Sequence, residues 1–211
     1  MKSKILICGL WLGLLLGVAC NSSPDSVKDA QKANDSITDS LSKKQSVSDS
    51  STAVPSKEDA DFMVKAASGG MLEVELGKLA QSNADRKGVK DFGAMMVEDH
   101  GKGGETLKSL AAGKRIVLPD SVSNDQKKER DDLMKKKGGE FDRSYITLMV
   151  KDHKEDIDEF EKAAKSANDP EIRAFAQNTL PMLHHHLDSA LSLDKKIGRK
   201  LSGPKTAPPY Q

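Results

Sequence analysis

Three patterns of apolar and polar positions succeed one another along the chain. Lys2 and Lys4 precede an apolar run from Ile5 to Ala19, and residues 21 to 55 scatter single Val, Ile and Leu among Ser, Asp, Lys, Asn and Gln. Beyond Pro55 the apolar positions recur every three or four residues, a spacing that keeps one face of a helix toward a partner. No stretch alternates in the manner of a strand, so the predicted fold class is all-α.

Caps and breakers divide the helical region into rods. Ser56, with Asp59 three residues on, imitates a capping box and starts a first rod that runs to about residue 82. A second rod spans about residues 85 to 112, with Gly113 as a natural stop. Residues 114 to 122, containing Leu118-Pro119, form a connector, after which Ser123 with Gln126 caps a short polar helix expected to break at Gly138-Gly139. A third rod covers about residues 140 to 167. Asp169-Pro170, an N-cap followed by proline at the first helical position, starts a fourth that continues to about Ile197. The turns repeat faintly: Ala80-x-Ser82-x-x-Asp85 followed by Phe92-Gly93 resembles Ala164-x-Ser166-x-x-Asp169 followed by Phe175-Ala176. Two similar hairpins joined by a longer connector predict a duplicated, antiparallel four-helix bundle over residues 56 to 198, with an extra short helix in the connector.

The segment before the rods bears on location. A basic start and an apolar run too short to span a membrane comfortably read as an export signal over residues 1 to 19. It ends Leu16-Gly17-Val18-Ala19-Cys20, which resembles a bacterial lipobox with Gly17 where leucine is usual, so Cys20 is the expected lipidation site and the membrane the expected partner through that anchor. An ordinary secretory signal is the competing reading. Cys8 leaves with the signal, so the mature chain holds one cysteine and no internal disulfide. Residues 21 to 55 have too few apolar groups to offset their ordering entropy and read as a disordered stalk, with a weak amphipathic helix between Val27 and Leu41 as the alternative. As a random coil the stalk would reach on the order of 30 Å. Residues 199 to 211 read as a frayed tail. Charge adds an exclusion: 33 basic and 32 acidic residues are interleaved, so no basic patch of the nucleic-acid kind is present. Asn21 after the cysteine is not the aspartate that retains some lipoproteins at the inner membrane, which favours the outer membrane, facing the periplasm.

Candidate chemistry lies in three histidines. The expected inward stripes are Val89, Gly93, Met96, His100, Gly103, Leu107 and Leu110 on the second rod, Ile146, Val150, His153, Ile157, Phe160 and Ala164 on the third, and Ile172, Ala176, Thr179, Leu183, His186, Ala190, Leu193 and Ile197 on the fourth. His100 follows Asp85 by 15 residues, His153 precedes Asp169 by 16 and His186 follows it by 17. At about 1.5 Å per residue they share one level to within about 3 Å if both turns lie at one end, and meet near mid-bundle if the connector crosses. Met96, Met149 and Met182 each stand four residues before one of these histidines, one turn away on nearly the same face. Imidazole with thioether suits copper, whereas imidazole with carboxylate suits iron or manganese. Glu73 lies on the inward stripe of the first rod, about one turn off level, and would add a carboxylate. Asp99 and Asp152 are placed to orient neighbours rather than to share a metal. His184 and His185 should lie on solvated flanks. Gly101, Gly103 and Gly104 each weaken the second rod by roughly 1 kcal/mol and would serve a close backbone approach or a kink.

The alternative for all of these residues is structural, methionine as filler and inward histidines as satisfied polar groups. Di-iron chemistry of bundles requires Glu-x-x-His, but the residues three before His100, His153 and His186 are Val97, Val150 and Leu183. No nucleophile elbow or phosphate-binding glycine loop is present either, so an enzyme is disfavoured.

Phe92-Gly93-x-x-Met96-Val97-x-Asp99-His100, then Leu118-Pro119, Phe141-Asp142-x-x-Tyr145, Met149-Val150-x-Asp152-His153 and Phe175-Ala176 through Pro181 and His186-Leu187 together resemble a bacterial envelope family. It is the domain of unknown function 4142, often labelled "predicted outer membrane protein". The resemblance covers about residues 57 to 197 and implies a ferritin-like bundle, with no reaction, ligand or catalytic residue attached. Two functions stand: a non-enzymatic, lipid-anchored envelope protein whose bundle is structural or binds a protein partner, and an envelope protein that binds or senses a transition metal, copper, zinc or iron, through His100, His153, His186, Glu73, Met96, Met149 and Met182.

Overall fold

A computed structural model describes residues 24–44 and 55–201. The signal segment, Cys20, residues 45–54 and the end of the tail lie outside them. Six helices follow in order, α1 Ser26–Lys44, α2 Lys57–Asn83, α3 Lys87–Lys114, α4 Asn124–Met134, α5 Gly138–Ser166 and α6 Pro170–Leu201, with no strand among the described residues. No helix among these residues is long and apolar enough to cross a membrane.

The four long helices pair as expected, α2 against α3 and α5 against α6, and the two hairpins pack on each other through α2 with α5 and α3 with α6. Two carboxylates clasp the hairpins. Asp142, fully buried at the start of α5, accepts hydrogen bonds from the Asp85 and Arg86 backbone N–H groups at 3.0 and 3.1 Å in the α2–α3 turn. Asp59, 1% exposed at the start of α2, accepts from the Asn168 and Asp169 N–H groups at 3.0 and 2.9 Å in the α5–α6 turn. A buried carboxylate that accepts two N–H bonds satisfies donors that a helix start leaves free. This explains why α3 begins two residues later than its sequence suggests: the donors at Asp85 and Arg86 belong to the neighbouring hairpin. It also gives the internal repeat a structural role, because each hairpin supplies the carboxylate that the other hairpin's turn requires.

The same contacts show where the connector goes. The end of α3 lies at the α5–α6 turn, where Lys114 pairs with Asp169 at 2.7 Å, whereas α5 starts at the α2–α3 turn. Residues 115 to 137 therefore return along the length of the bundle. Their helix, α4, starts at the expected capping box of Ser123 and Gln126. It is pinned to α2 by Ser68, which donates to the Gln126 side chain, and by Arg130 on Glu75 at 2.8 Å. Gly113 does not end α3; the chain turns two residues later, at Arg115, which adopts the left-handed conformation with φ 60°. Gly138, φ +58°, opens α5 instead of breaking a helix.

Where composition pointed to an unordered stalk, residues Ser26–Lys44 form a helix, the amphipathic alternative. It packs on α2 and is locked by Asn34, whose side chain donates to the Val117 carbonyl at 2.9 Å and accepts from the Val117 N–H at 2.7 Å. The helix gains from tertiary hydrogen bonds and the burial of Ala30 and Asn34 what its own apolar content could not supply.

Glycines mark where α2 and α3 touch and where they part. A Cβ on Gly77 would stand 2.5 Å from the Gly93 carbonyl oxygen, and one on Gly93 would stand 2.7 Å from that of Gly77. One to three turns along, Cβ atoms on Gly101, Gly103 and Gly104 would meet nothing within 4 Å. Those three glycines thus serve no close backbone approach. Gly77→Ala is expected to destabilise the protein by about 1–3 kcal/mol through overpacking. Gly103→Ala should stabilise it by up to about 1 kcal/mol through helix propensity. Denaturant midpoints of the two variants check both signs.

Candidate functional site

Each of the four long helices sends one polar side chain to a common level in the core: Glu73 from α2, His100 from α3, His153 from α5 and His186 from α6. All are buried, at 2, 7, 0 and 0% exposure. The buried apolar residues of the two core clusters include Met96, Leu107, Phe160 and Leu183 from the expected stripes, and also Phe92, Tyr145 and Met149, which those stripes left out. The imidazoles approach one another with ring centroids 5.1 to 5.7 Å apart. One ring nitrogen of each lies within 4.8 Å of the other two. The predicted convergence of the three histidines is therefore present in the fold.

Glu73 is closer to them than its register suggested. Its carboxylate meets His100 Nδ1 at 2.8 Å and His153 Nε2 at 3.3 Å, so side-chain reach makes up the turn by which its Cα was judged off level. Asp99 takes the orienting part assigned to it: His186 Nε2 lies 2.9 Å from its Oδ2, across to another helix. His153 Nδ1 lies 2.9 Å from the Met149 carbonyl oxygen, so Met149 meets the cluster through its backbone. The Met96 and Met149 side chains pack in one apolar cluster and Met182 against the other, and among the described residues no hydrogen bond joins their sulfurs to an imidazole. His184 and His185 are exposed.

These partners determine the protons. A ring nitrogen facing a carboxylate or a carbonyl must carry hydrogen, which assigns N–H to His100 Nδ1, His186 Nε2 and His153 Nδ1. The remaining nitrogens, His100 Nε2, His186 Nδ1 and His153 Nε2, are the free ones. His100 Nε2 lies 3.2 Å from His186 Nδ1, a hydrogen bond only if one of them is protonated. Burial alone would lower the His100 pKa, but the charge and hydrogen bond of Glu73, with Asp99, raise it above the ordinary value. Burial likewise pushes His186 down to about 4 and lowers His153, in both cases against the pull of a nearby carboxylate. His100 is thus the imidazole that takes a second proton most readily, and when it does it donates to Glu73 on one side and to His186 on the other. Burial would raise Glu73, yet the charge and hydrogen bond of His100 hold it below the usual range.

One contact stays unresolved by this proton arrangement. Glu73 Oε1 and the free His153 Nε2 face each other, both buried and neither hydrogen-bonded. Two lone pairs at 3.3 Å repel. The Tyr145 hydroxyl and Asp152 Oδ2 are buried without partners as well, so the orphan atoms among the described residues all lie on Glu73 and on α5. Such atoms usually mark a bound water or ion.

A cavity of about 370 Å³ opens between α2 and α3 beside this cluster and reaches His100 and Glu73. Its wall on α3 is the run Gly101, Gly103 and Gly104, whose missing side chains leave the space open. The close backbone approach expected at these glycines is absent, and they border open space instead. Sequence reasoning also missed Asp156, whose carboxylate lines the cavity opposite.

Comparison with known proteins places the chain in a family without assigning it chemistry. The profile described as "Domain of unknown function (DUF4142)" matches residues 43–193. The chain belongs to this family. A crystal structure of a DUF305 fragment from Deinococcus radiodurans is similar to it in fold, with a TM-score of 0.59 and 10% identity, over 70% of this chain and 99% of the fragment. No curated protein matches. The family match attaches no fold or reaction to this DUF4142 chain and the DUF305 fragment shares only its fold, so the chemistry has to be argued from its own side chains.

The electrostatics around His153 can be tested in the metal-free protein. Burial, then Glu129 and Glu73, push the Asp152 carboxyl up to about 7 from 3.8. The stability carried by its proton is complete below 3.8 and is lost as pH rises through about 7. Asp152→Asn is therefore expected to stabilise the protein at about pH 8 and to have little effect near pH 4. Denaturant titrations of the two proteins at both pH values measure the difference.

Proposed function

We propose that this protein is a non-enzymatic, lipid-anchored envelope protein, held at Cys20 in the outer membrane facing the periplasm, whose antiparallel, ferritin-like four-helix bundle binds one transition metal ion. The observation that carries the metal reading is the facing pair of Glu73 Oε1 and His153 Nε2, two buried lone pairs that a cation between them would satisfy. Support comes from the three outward N–H bonds. Ligating histidines typically give their other N–H to a carboxylate or carbonyl, as His100 does to Glu73, His186 to Asp99 and His153 to Met149. His100 Nε2 and His186 Nδ1, 3.2 Å apart, already have about the spacing of two ligands on a tetrahedral ion with bonds of about 2.0–2.1 Å.

The donor set of this reading is His100, His153 and His186 with Glu73 as the fourth group. Three imidazoles and a carboxylate favour zinc or iron over cuprous copper, because Met96, Met149 and Met182 act as packing. The ion would replace the proton of the His100 imidazolium, so metal affinity falls as the medium is acidified. The competing reading, a purely structural polar network, draws on the 2.8 Å ion pair of His100 with Glu73.

Metal analysis of protein purified without a histidine tag separates the two. The expected result is one bound zinc or iron per chain and a raised thermal midpoint on addition of the metal, both lost in a triple His→Leu variant of residues 100, 153 and 186. Asp99→Asn, which keeps every ligand, should weaken binding by about 10- to 100-fold. Absence of stoichiometric metal together with an unchanged midpoint for zinc, iron and copper overturns the proposal.

A further inference from the structure

The cavity between α2 and α3 has a second cationic preference that the imidazole cluster does not use. We propose that it is a binding site for a small amphipathic amine, an ammonium head on a short apolar chain, with Asp156 as the counter-ion. The inference concerns a separate group, Asp156, and a separate ligand; because the cavity also reaches His100 and Glu73, it applies to the metal-free protein.

Three observations converge. The first is the cavity itself. Its volume of about 370 Å³ is at the small end of the range for small-molecule pockets, and its side walls are apolar, with Met71, Leu107, Phe160, Phe175 and Met182. The second is the cost of keeping it open. Gly101, Gly103 and Gly104 sit inside α3, where each weakens the helix by about 1 kcal/mol relative to alanine, and no neighbour requires them to be small. Packing gives them no purpose; an occupant of the cavity does.

The third observation is the acid at the inner wall. Among the described residues, Asp156 has neither a hydrogen bond nor an ion pair. The charged groups around it repel an anion: Glu73 from α2 and Asp152, Glu155 and Glu159 from its own helix hold its carboxyl well above the usual range, after burial itself. The cationic groups nearby are turned to other uses or stand at the rim: His100 on the cavity wall pairs with Glu73 at 2.8 Å, Lys108 with Glu105 at 2.9 Å and Lys65 with Glu159 at 2.8 Å, and Lys78 lines the exposed end. A carboxyl in an apolar recess, surrounded by other carboxylates, is matched by a cation that brings its own apolar body. An ammonium on an alkyl chain fits both features, and a carboxylate or phosphate head fits neither.

Calorimetric titration of the full chain, stripped of metal by chelation, with n-hexylamine, 1-hexanol and hexanoate tests this. Hexylamine is expected to bind at least about tenfold more tightly than hexanol, the worth of a charge-assisted hydrogen bond in a dry site, and hexanoate not at all. Asp156→Asn, nearly isosteric, should remove that advantage and leave hexanol unchanged. Gly104→Leu, which fills the cavity with a better helix former, should abolish both. His153→Ala, which breaks the proposed metal site and lies outside the cavity wall, should leave hexylamine binding intact, so the two readings can fail separately. Equal affinity for hexylamine and hexanol, undiminished hexylamine binding to Asp156→Asn, or no binding up to about 10 mM overturns the proposal.

Discussion

A single carboxylate, Glu73, is bonded into the middle of the core, between the buried carboxylates Asp59 and Asp142 at its two ends. At 2% exposure it can remain ionised only because His100, at 2.8 Å, carries the compensating proton. That requirement organises what surrounds it. His100 must be held by its other nitrogen, which brings His186 to 3.2 Å, and His186 in turn must reach Asp99. Three of the long helices, α2, α3 and α6, are thus bound at one level by a polar chain whose members cannot be removed singly without leaving a buried group unpaired, and α5 brings His153 against it.

The two ends of the bundle solve the same problem with simpler means. Asp59 and Asp142 each take two backbone N–H groups from the opposite hairpin's turn. The hairpins are therefore joined at both ends by carboxylates and at the centre by imidazoles, with apolar layers between them. This spacing leaves one place where the hairpin formed by α2 and α3 is free to splay. The helices touch backbone to backbone at Gly77 and Gly93, and part at Gly103 and Gly104, so the cavity lies on the solvent side of the histidine cluster.

Much of this was readable in the chain. The four-residue capping box from Ser123 to Gln126, the Asp169-Pro170 start and the inward periodicity of His100, His153 and His186 are local or strictly periodic, and local rules carry them. The α1 helix was not readable in the same way. Its composition is that of a disordered segment, and its order comes from Asn34 meeting the Val117 backbone 83 residues away. Asp142 as the cap of another hairpin's turn escaped for the same reason, since capping rules look only along the helix they describe. Asp156 went unnoticed because an acid on a charged helix looks solvated until the neighbouring helix is known to stand away from it.

Sequence alone determined the all-helical class, the rods, the short capped helix and the face on which each imidazole sits, because helical period and capping act within a few residues of one chain. The tertiary structure decided which nitrogen of each histidine is free, that Glu73 reaches two of them, that the methionines pack rather than join the polar network by hydrogen bonds, and that three glycines border empty space. These depend on distances between helices. Such distances are fixed by how side chains from different rods share a common volume, and no spacing along the chain encodes them.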